Sequence, residues 1–113
     1  GYNNGAIHEF YISIYGSLPA SLGGSPDKAR YHFAKAVEYA KGLTAGPYVA
    51  LATSVSIPAQ NAEEFRALLG QALAIDLDAS PANRLVNLLS QKRARWLLEH
   101  IEDYFLLDVE EDQ

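Results

Sequence analysis

Three histidines, His8, His32 and His100, are the residues best suited to hold a metal or carry protons near neutral pH. None lies four positions from another. His8-Glu9 is not followed by a second histidine at the spacing of a helical zinc site. A metal site would have to be assembled by folding, so the spacing points to surface or interface histidines and implies no cofactor. Cysteine is absent, which removes thiol nucleophiles, disulfides and cysteine-based zinc sites. No serine stands in a Gly-x-Ser-x-Gly elbow, and no pair of acids is singled out by its spacing. Gly23-Gly24-Ser25 ahead of a helix could offer backbone N–H groups to an anion. No lysine follows at phosphate-loop spacing, and a loop with a helix cap accounts for these residues. The pattern is that of a binding protein and not of an enzyme.

The residues left are suited to recognition. Lys92, Arg93 and Arg95 fall within four positions, but steps of about 100° on a helix spread them over more than one face. Glu99, four residues beyond Arg95, is placed to pair with it. Arg84 and Arg95 are the first candidates for an acidic ligand group, because the guanidinium fork matches a carboxylate. Phe10, Tyr11, Tyr15, Tyr31, Phe33, Tyr39, Tyr48 and Trp96 could line an apolar pocket or serve as plain core. Among them Phe10, Tyr11, Tyr15 and Trp96 are the candidates for touching ligand or partner. Each buried tyrosine hydroxyl will want a polar neighbour.

Helices must position these groups, since no segment alternates with period two for long enough to make a strand. The first helix runs from about Asn4 to Tyr15 and stops at Gly16. Ser25-Pro26-Asp27 opens the second, whose apolar stripe is Ala29, Phe33, Ala36, Val37 and Ala40, before Gly42. Gly46-Pro47 starts a short third helix, Tyr48 to about Ser56, ended by Pro58. Asn61 caps the fourth, with Phe65, Leu68, Leu69, Ala72, Leu73 and Ile75 apolar. Asp76 to Pro81 is a turn, and Ser80-Pro81 opens a last helix reaching about Leu107. Ser90, Ala94, Leu97, Ile101 and Tyr104 share one face of it, and Leu85, Leu89 and Trp96 share another. Residues 1–107 make one all-α domain of about five helices, followed by an acidic tail over 108–113.

Ala29, Phe33 and Ala36 recur as Phe65, Leu69 and Ala72, 36 residues on. A period near ~34 residues with this order of small and bulky side chains resembles the second helix of a tetratricopeptide repeat. The expected class is therefore a short array of antiparallel helix pairs. The tryptophan-leucine-glycine-tyrosine pattern of the first repeat helix is not evident. Two repeats fall short of the ~3 that usually bury a continuous core. The first helix is apolar nearly all round, through Ala6, Ile7, Phe10, Tyr11, Ile12, Ile14 and Tyr15, with mainly His8, Glu9 and Ser13 polar. It is either the central helix of the domain, or it is covered by further repeats, another chain or a ligand.

At 113 residues the chain can bury one core. Its 9 basic and 14 acidic residues give a net charge of −5, which disfavours nucleic acid. No apolar run approaches the ~18 residues of a membrane span. Methionine is absent even at position 1, and the expectation is a chain that lacks its N-terminal part and any export signal.

The stretches Gly5-Ala6-Ile7-His8-Glu9-Phe10, Gly23 to Arg30, Pro47-Tyr48-Val49-Ala50-Leu51-Ala52, Asn83-Arg84-Leu85 and Gln91 to Leu98 resemble the TatT family. These are the T components of tripartite ATP-independent periplasmic (TRAP) transporters. The resemblance covers nearly the whole chain and corresponds to the C-terminal part of a longer member. It implies a periplasmic, often lipid-anchored protein of tetratricopeptide-like helices. Such a protein would dock a periplasmic solute-binding partner, the P component, and form a homo-oligomer such as a trimer. An apolar channel or cavity would suit organic acids or partly hydrophobic ligands. The lipid-bearing cysteine of a mature family N-terminus is missing here. The alternative is a general tetratricopeptide adaptor that binds protein and transports nothing; a small hydrolase would need a nucleophile or metal set the residues do not display.

Overall fold

The computed structural model describes residues 4–106, with side chains from residue 7 onward, and every regular element among them is helical. The side chain of Ala6 on the apolar surface of the first helix, Leu107 as a helix end and the acidic tail lie outside what is described. The five α-helices are α1 (Asn4–Ser17), α2 (Pro26–Ala40), α3 (Gly46–Leu51), α4 (Ala62–Ala74) and α5 (Arg84–Glu99). The all-α class is as the residue pattern requires.

The local signals act where they stand. The Ser25 hydroxyl accepts from the Lys28 N–H at 3.1 Å, with Pro26 at the first helical position. Asn61 Oδ1 accepts from the Glu64 N–H at 3.0 Å at the head of α4. Helix α2 ends where Lys41 turns left-handed at φ 55°, and Gly42 follows at φ 72°. The Gly42 N–H then reaches back to the Val37 carbonyl, satisfying a carbonyl the helix would leave bare. Gly16 does not stop α1, which continues to Ser17. Its role is close approach: a Cβ there would lie 2.6 Å from Ser54 Cβ and 2.9 Å from the Ser54 carbonyl oxygen.

Helices α1 and α2 form an antiparallel pair, since His8 meets Tyr39 while Tyr15, a turn or two later, meets His32 and Lys28. Of the alternatives for α1, that of a central helix is not the one the packing favours. That place belongs to α3, which packs against all four other helices. Residues 46–56 carry no charge and are mostly small or apolar, so this stretch alone can be enclosed on several sides. Gly46, Pro47, Val49, Leu51, Ala52 and Ser54 to Ser56 are buried. The helix widens over Ala52–Ser56 into a π-helical turn, with the Ile57 N–H bonded to the Ala52 carbonyl.

The six positions of the internal repeat all turn inward. Ala29, Ala36, Phe65, Leu69 and Ala72 are fully enclosed, and Phe33 packs half-buried beside them. Around Phe65 lie Phe105 and Tyr104, with ring centroids 4.8 and 6.4 Å away. An ion pair ties α2 to α4: the Arg30 guanidinium grips both Glu64 oxygens, at 2.5 and 3.2 Å, and the Ser56 hydroxyl donates to the same carboxylate at 2.6 Å. The Arg30 bonds, outweighing partial burial, hold the Glu64 carboxyl below its ordinary range.

The last helix is shorter than its periodicity suggests. His100 leaves helical geometry, its amide and its ring Nδ1 both directed at the Trp96 carbonyl. The chain then folds back so that Phe105 can reach Phe65. Gln60 secures the return: its Nε2 donates to the Tyr104 carbonyl at 2.8 Å and its Oε1 accepts from the Leu106 N–H at 3.1 Å.

Two further amides, one turn apart on α5, close the core from inside. Asn87 Oδ1 accepts from the Ala45 N–H and its Nδ2 donates to the Leu43 carbonyl, at 2.9 and 2.8 Å. Gln91 Nε2 reaches the carbonyls of Ile75 and Ala72, at 2.8 and 3.1 Å, at the end of α4. Both side chains are buried, and both satisfy backbone groups that are buried or partly buried.

Candidate functional site

Helices α1, α3 and α5 leave an open cleft of about 290 Å³ between them. Glu9 and Ser13 come from α1. Gly46, Val49 and Ala50 come from α3, with Thr53 from its π-turn, and Leu89, Ser90 and Arg93 come from α5. Small side chains on α3 make the space, and exposed Leu89 and Arg93 form its rim. The Thr53 hydroxyl is occupied, turned back to the carbonyls of Val49 and Ala50. Glu9 is half-buried, and desolvation pushes its carboxyl above the ordinary glutamate value. Its two oxygens lie against Gly46, where an added Cβ would stand 2.7 Å from each.

On the other side of the α1–α2 pair, aromatic rings gather around two histidines. The Nδ1 atoms of His8 and His32 are 2.7 Å apart, one ring donating and the other accepting. His32 stacks on Tyr15 at 5.5 Å and 5°, and His8 stacks on Tyr39 at 5.6 Å and 11°. Tyr11 and Tyr31 flank His32, and Lys28 and Lys35 sit over the rings of Tyr15 and Tyr31. Ile7, Phe10, Tyr11, Tyr31 and Tyr39 all remain exposed here. Burial, and then the charge of a protonated His8, hold the His32 imidazole below its ordinary value.

A group whose folded-state value is depressed favours the neutral form in the native protein. Its stabilisation is complete above the unfolded value, ~6.5, and is lost as pH falls through the lower folded value. The thermal midpoint of the wild type is therefore expected to drop by a few degrees between pH 7.5 and 5.5. His32→Gln should flatten that part of the profile. Equal slopes in both proteins would remove the pair from the account.

The structure separates the residues that the sequence groups together. Phe10, Tyr11 and Tyr15 belong to the aromatic face of α1 and α2, not to the cleft. Trp96 is 48% exposed on the outer side of α5, stacked on His100 at 4.0 Å. Arg84 is engaged by Asp78, its Nε 3.3 Å from Oδ1. Arg95 is exposed, and the ion pair with Glu99 does not form among the described residues. Arg93 is the arginine that reaches the cleft. Glu9, Ser13 and Ser90 went unrecognised as site residues, although three polar side chains on an otherwise apolar α1 were a signal. At Gly23 to Ser25 the backbone N–H groups are all bonded within the chain, to the carbonyls of Ala20, Pro19 and Tyr15. The loop-and-cap reading holds there, and no anion cradle is left. Among the described residues no cluster of three or more metal-ligating side chains occurs.

The chain is similar to an uncharacterized protein of Treponema pallidum (strain Nichols), with 37% identity over 105 residues, 93% of this chain. It spans about a third of that relative's length, 32%. A family model described as the TRAP transporter T-component matches residues 1–105, which include α1 to α5 and with them every wall of the cleft. This chain belongs to the TRAP transporter T-component family.

Proposed function

We propose that the chain is a non-enzymatic scaffold of a TRAP-type transport system, docking a periplasmic solute-binding partner and holding a small carboxylate-bearing ligand in the cleft. The observation that carries this reading is Arg93 at the rim of a roomy, mixed polar and apolar cleft. A guanidinium at such a place can fork onto a carboxylate while Val49, Ala50 and Leu89 cover an aliphatic portion. Family membership supports the transport role. Among the described residues no helix is long and apolar enough to cross a membrane. A periplasmic location, a lipid anchor and self-association into an oligomer such as a trimer fit the same reading.

The aromatic surface of α1 and α2 favours a second element, protein docking. Exposed tyrosine and phenylalanine side chains are the kind that anchor interfaces. A general tetratricopeptide-like adaptor would use that surface and leave the cleft empty. Native mass spectrometry of the protein mixed with a TRAP-type solute-binding protein separates the two readings. The transport scaffold is expected to appear as a complex, with a small carboxylic acid retained. A protein that captures neither partner nor acid would overturn the proposal, and capture of unrelated peptides alone would favour the adaptor.

A further inference from the structure

Resting on the ligand reading above, we propose that the cleft is selective for zwitterions. Its ligand would be a small aliphatic molecule carrying both a carboxylate, held by Arg93, and an ammonium group, held by Glu9.

Four polar side chains open onto this one space: Glu9 and Ser13 from α1, and Ser90 and Arg93 from α5. Among the described residues none of the four makes a side-chain hydrogen bond or ion pair, so their polar atoms are open to a ligand. Two of them bear opposite charges and share the cleft without pairing with each other. An acid and a base facing one cavity from different helices are complementary to a ligand that brings both opposite charges between them.

Glu9 decides the class. Arg93 alone would accept any carboxylate, but a ligand with only negative charge would sit beside a second, half-buried carboxylate and be repelled by it. A ligand ammonium turns that repulsion into a charge-assisted hydrogen bond and offsets the desolvation that Glu9 already bears. The position of the carboxylate is also built in. Its oxygens stand 2.7 Å from where any residue but glycine at 46 would put a Cβ, too close for that atom to be added without displacing them. The serine hydroxyls can turn to either charged end. The volume of about 290 Å³ limits the ligand to a short carbon chain.

Titration calorimetry with four six-carbon probes tests this: L-norleucine, 6-aminohexanoate, hexanoate and hexylamine. The two zwitterions are isomers, so their ranking also reports the charge separation the cleft prefers. At least one should bind about tenfold more tightly than hexanoate and than hexylamine, the effect of one charge-assisted hydrogen bond. Glu9→Gln should bring the zwitterion down to the level of hexanoate without weakening hexanoate. Arg93→Gln should weaken both. Gly46→Ala, which displaces the carboxyl, should also cost the zwitterion its advantage.

Hexanoate binding as tightly as either zwitterion would overturn the proposal and leave a plain carboxylate site. Hexylamine matching the zwitterions would overturn it by removing Arg93 from recognition. Failure of all four probes would defeat the ligand reading along with the proposal. Should a variant fail to fold by circular dichroism, the ranking of the four probes on the wild type decides alone.

Discussion

Phe65→Ala is expected to lower the thermal unfolding midpoint by about 15 °C or more, the largest effect of any single truncation in this fold. Phe65 is fully enclosed and lies where α4 meets the returning C-terminal segment, its ring against Phe105 and Tyr104. Truncating a buried phenylalanine costs about 3–5 kcal/mol, and each kcal/mol moves the midpoint of a domain this size by ~4–8 °C. Phe65→Leu keeps most of the apolar volume and should cost less than half as much. Phe10 supplies the control, because it is 61% exposed and its truncation should change stability little. Similar losses at both positions, read by differential scanning calorimetry, would mean that the core is not where α4 puts it.

Asn87→Ala should come second, and it should couple stability to the cleft. The side chain is fully buried and serves the Ala45 N–H and the Leu43 carbonyl together. Removing it leaves the buried Ala45 N–H without a partner, at about 1–3 kcal/mol, and also frees the partly buried Leu43 carbonyl. Asn87→Asp keeps the acceptor, loses the donor and adds a buried charge, so it should do no better. The loss should be local before it is global. Ala45 immediately precedes Gly46, the residue against which Glu9 rests, so loosening this joint also loosens one wall of the cleft. Urea unfolding should show the lower stability, and amide exchange at Ala45 should accelerate ahead of the core of α4. An Ala45 amide as protected as in the wild type would show that Asn87 is dispensable there.

The two predictions share a cause. The molecule spans 51 × 36 Å but only 16 Å in its thinnest direction, the depth of about two packed layers of helices. A layer so thin cannot enclose every apolar residue. Ile7, Phe10, Leu85, Val86, Leu89 and Trp96 are consequently exposed, and a few fully buried side chains carry much of the cohesion. The same thinness lets three helices leave an open cleft between them.

What the sequence by itself determined was whatever depends on neighbours a few residues apart. Serine, proline and asparagine caps, left-handed turns and 3.6-residue stripes act within one or two turns, so five helices, the all-α class and the inward face of α2 and α4 were readable directly. The resemblance to the T-component family lay in the same local wording and is met by the family match over residues 1–105. Only the tertiary structure decided which helix is central, because α1 and α3 both read as apolar, yet α3 alone is uncharged and small enough to be surrounded. It also decided which arginine lines the cleft. Arg93 and Arg95 are two residues apart, a rotation of about 200° around the helix, so only one of them can face the cleft, and which one is set by the side of α5 that packs toward α3. Glu9, Gly46 and Arg93 are separated by 37 and 47 residues and meet through packing alone, as do the amides of Gln60, Asn87 and Gln91 with their distant carbonyls. Local periodicity says which side of a helix is buried; what that side is buried against is set by long-range packing, and the cleft exists only at that level.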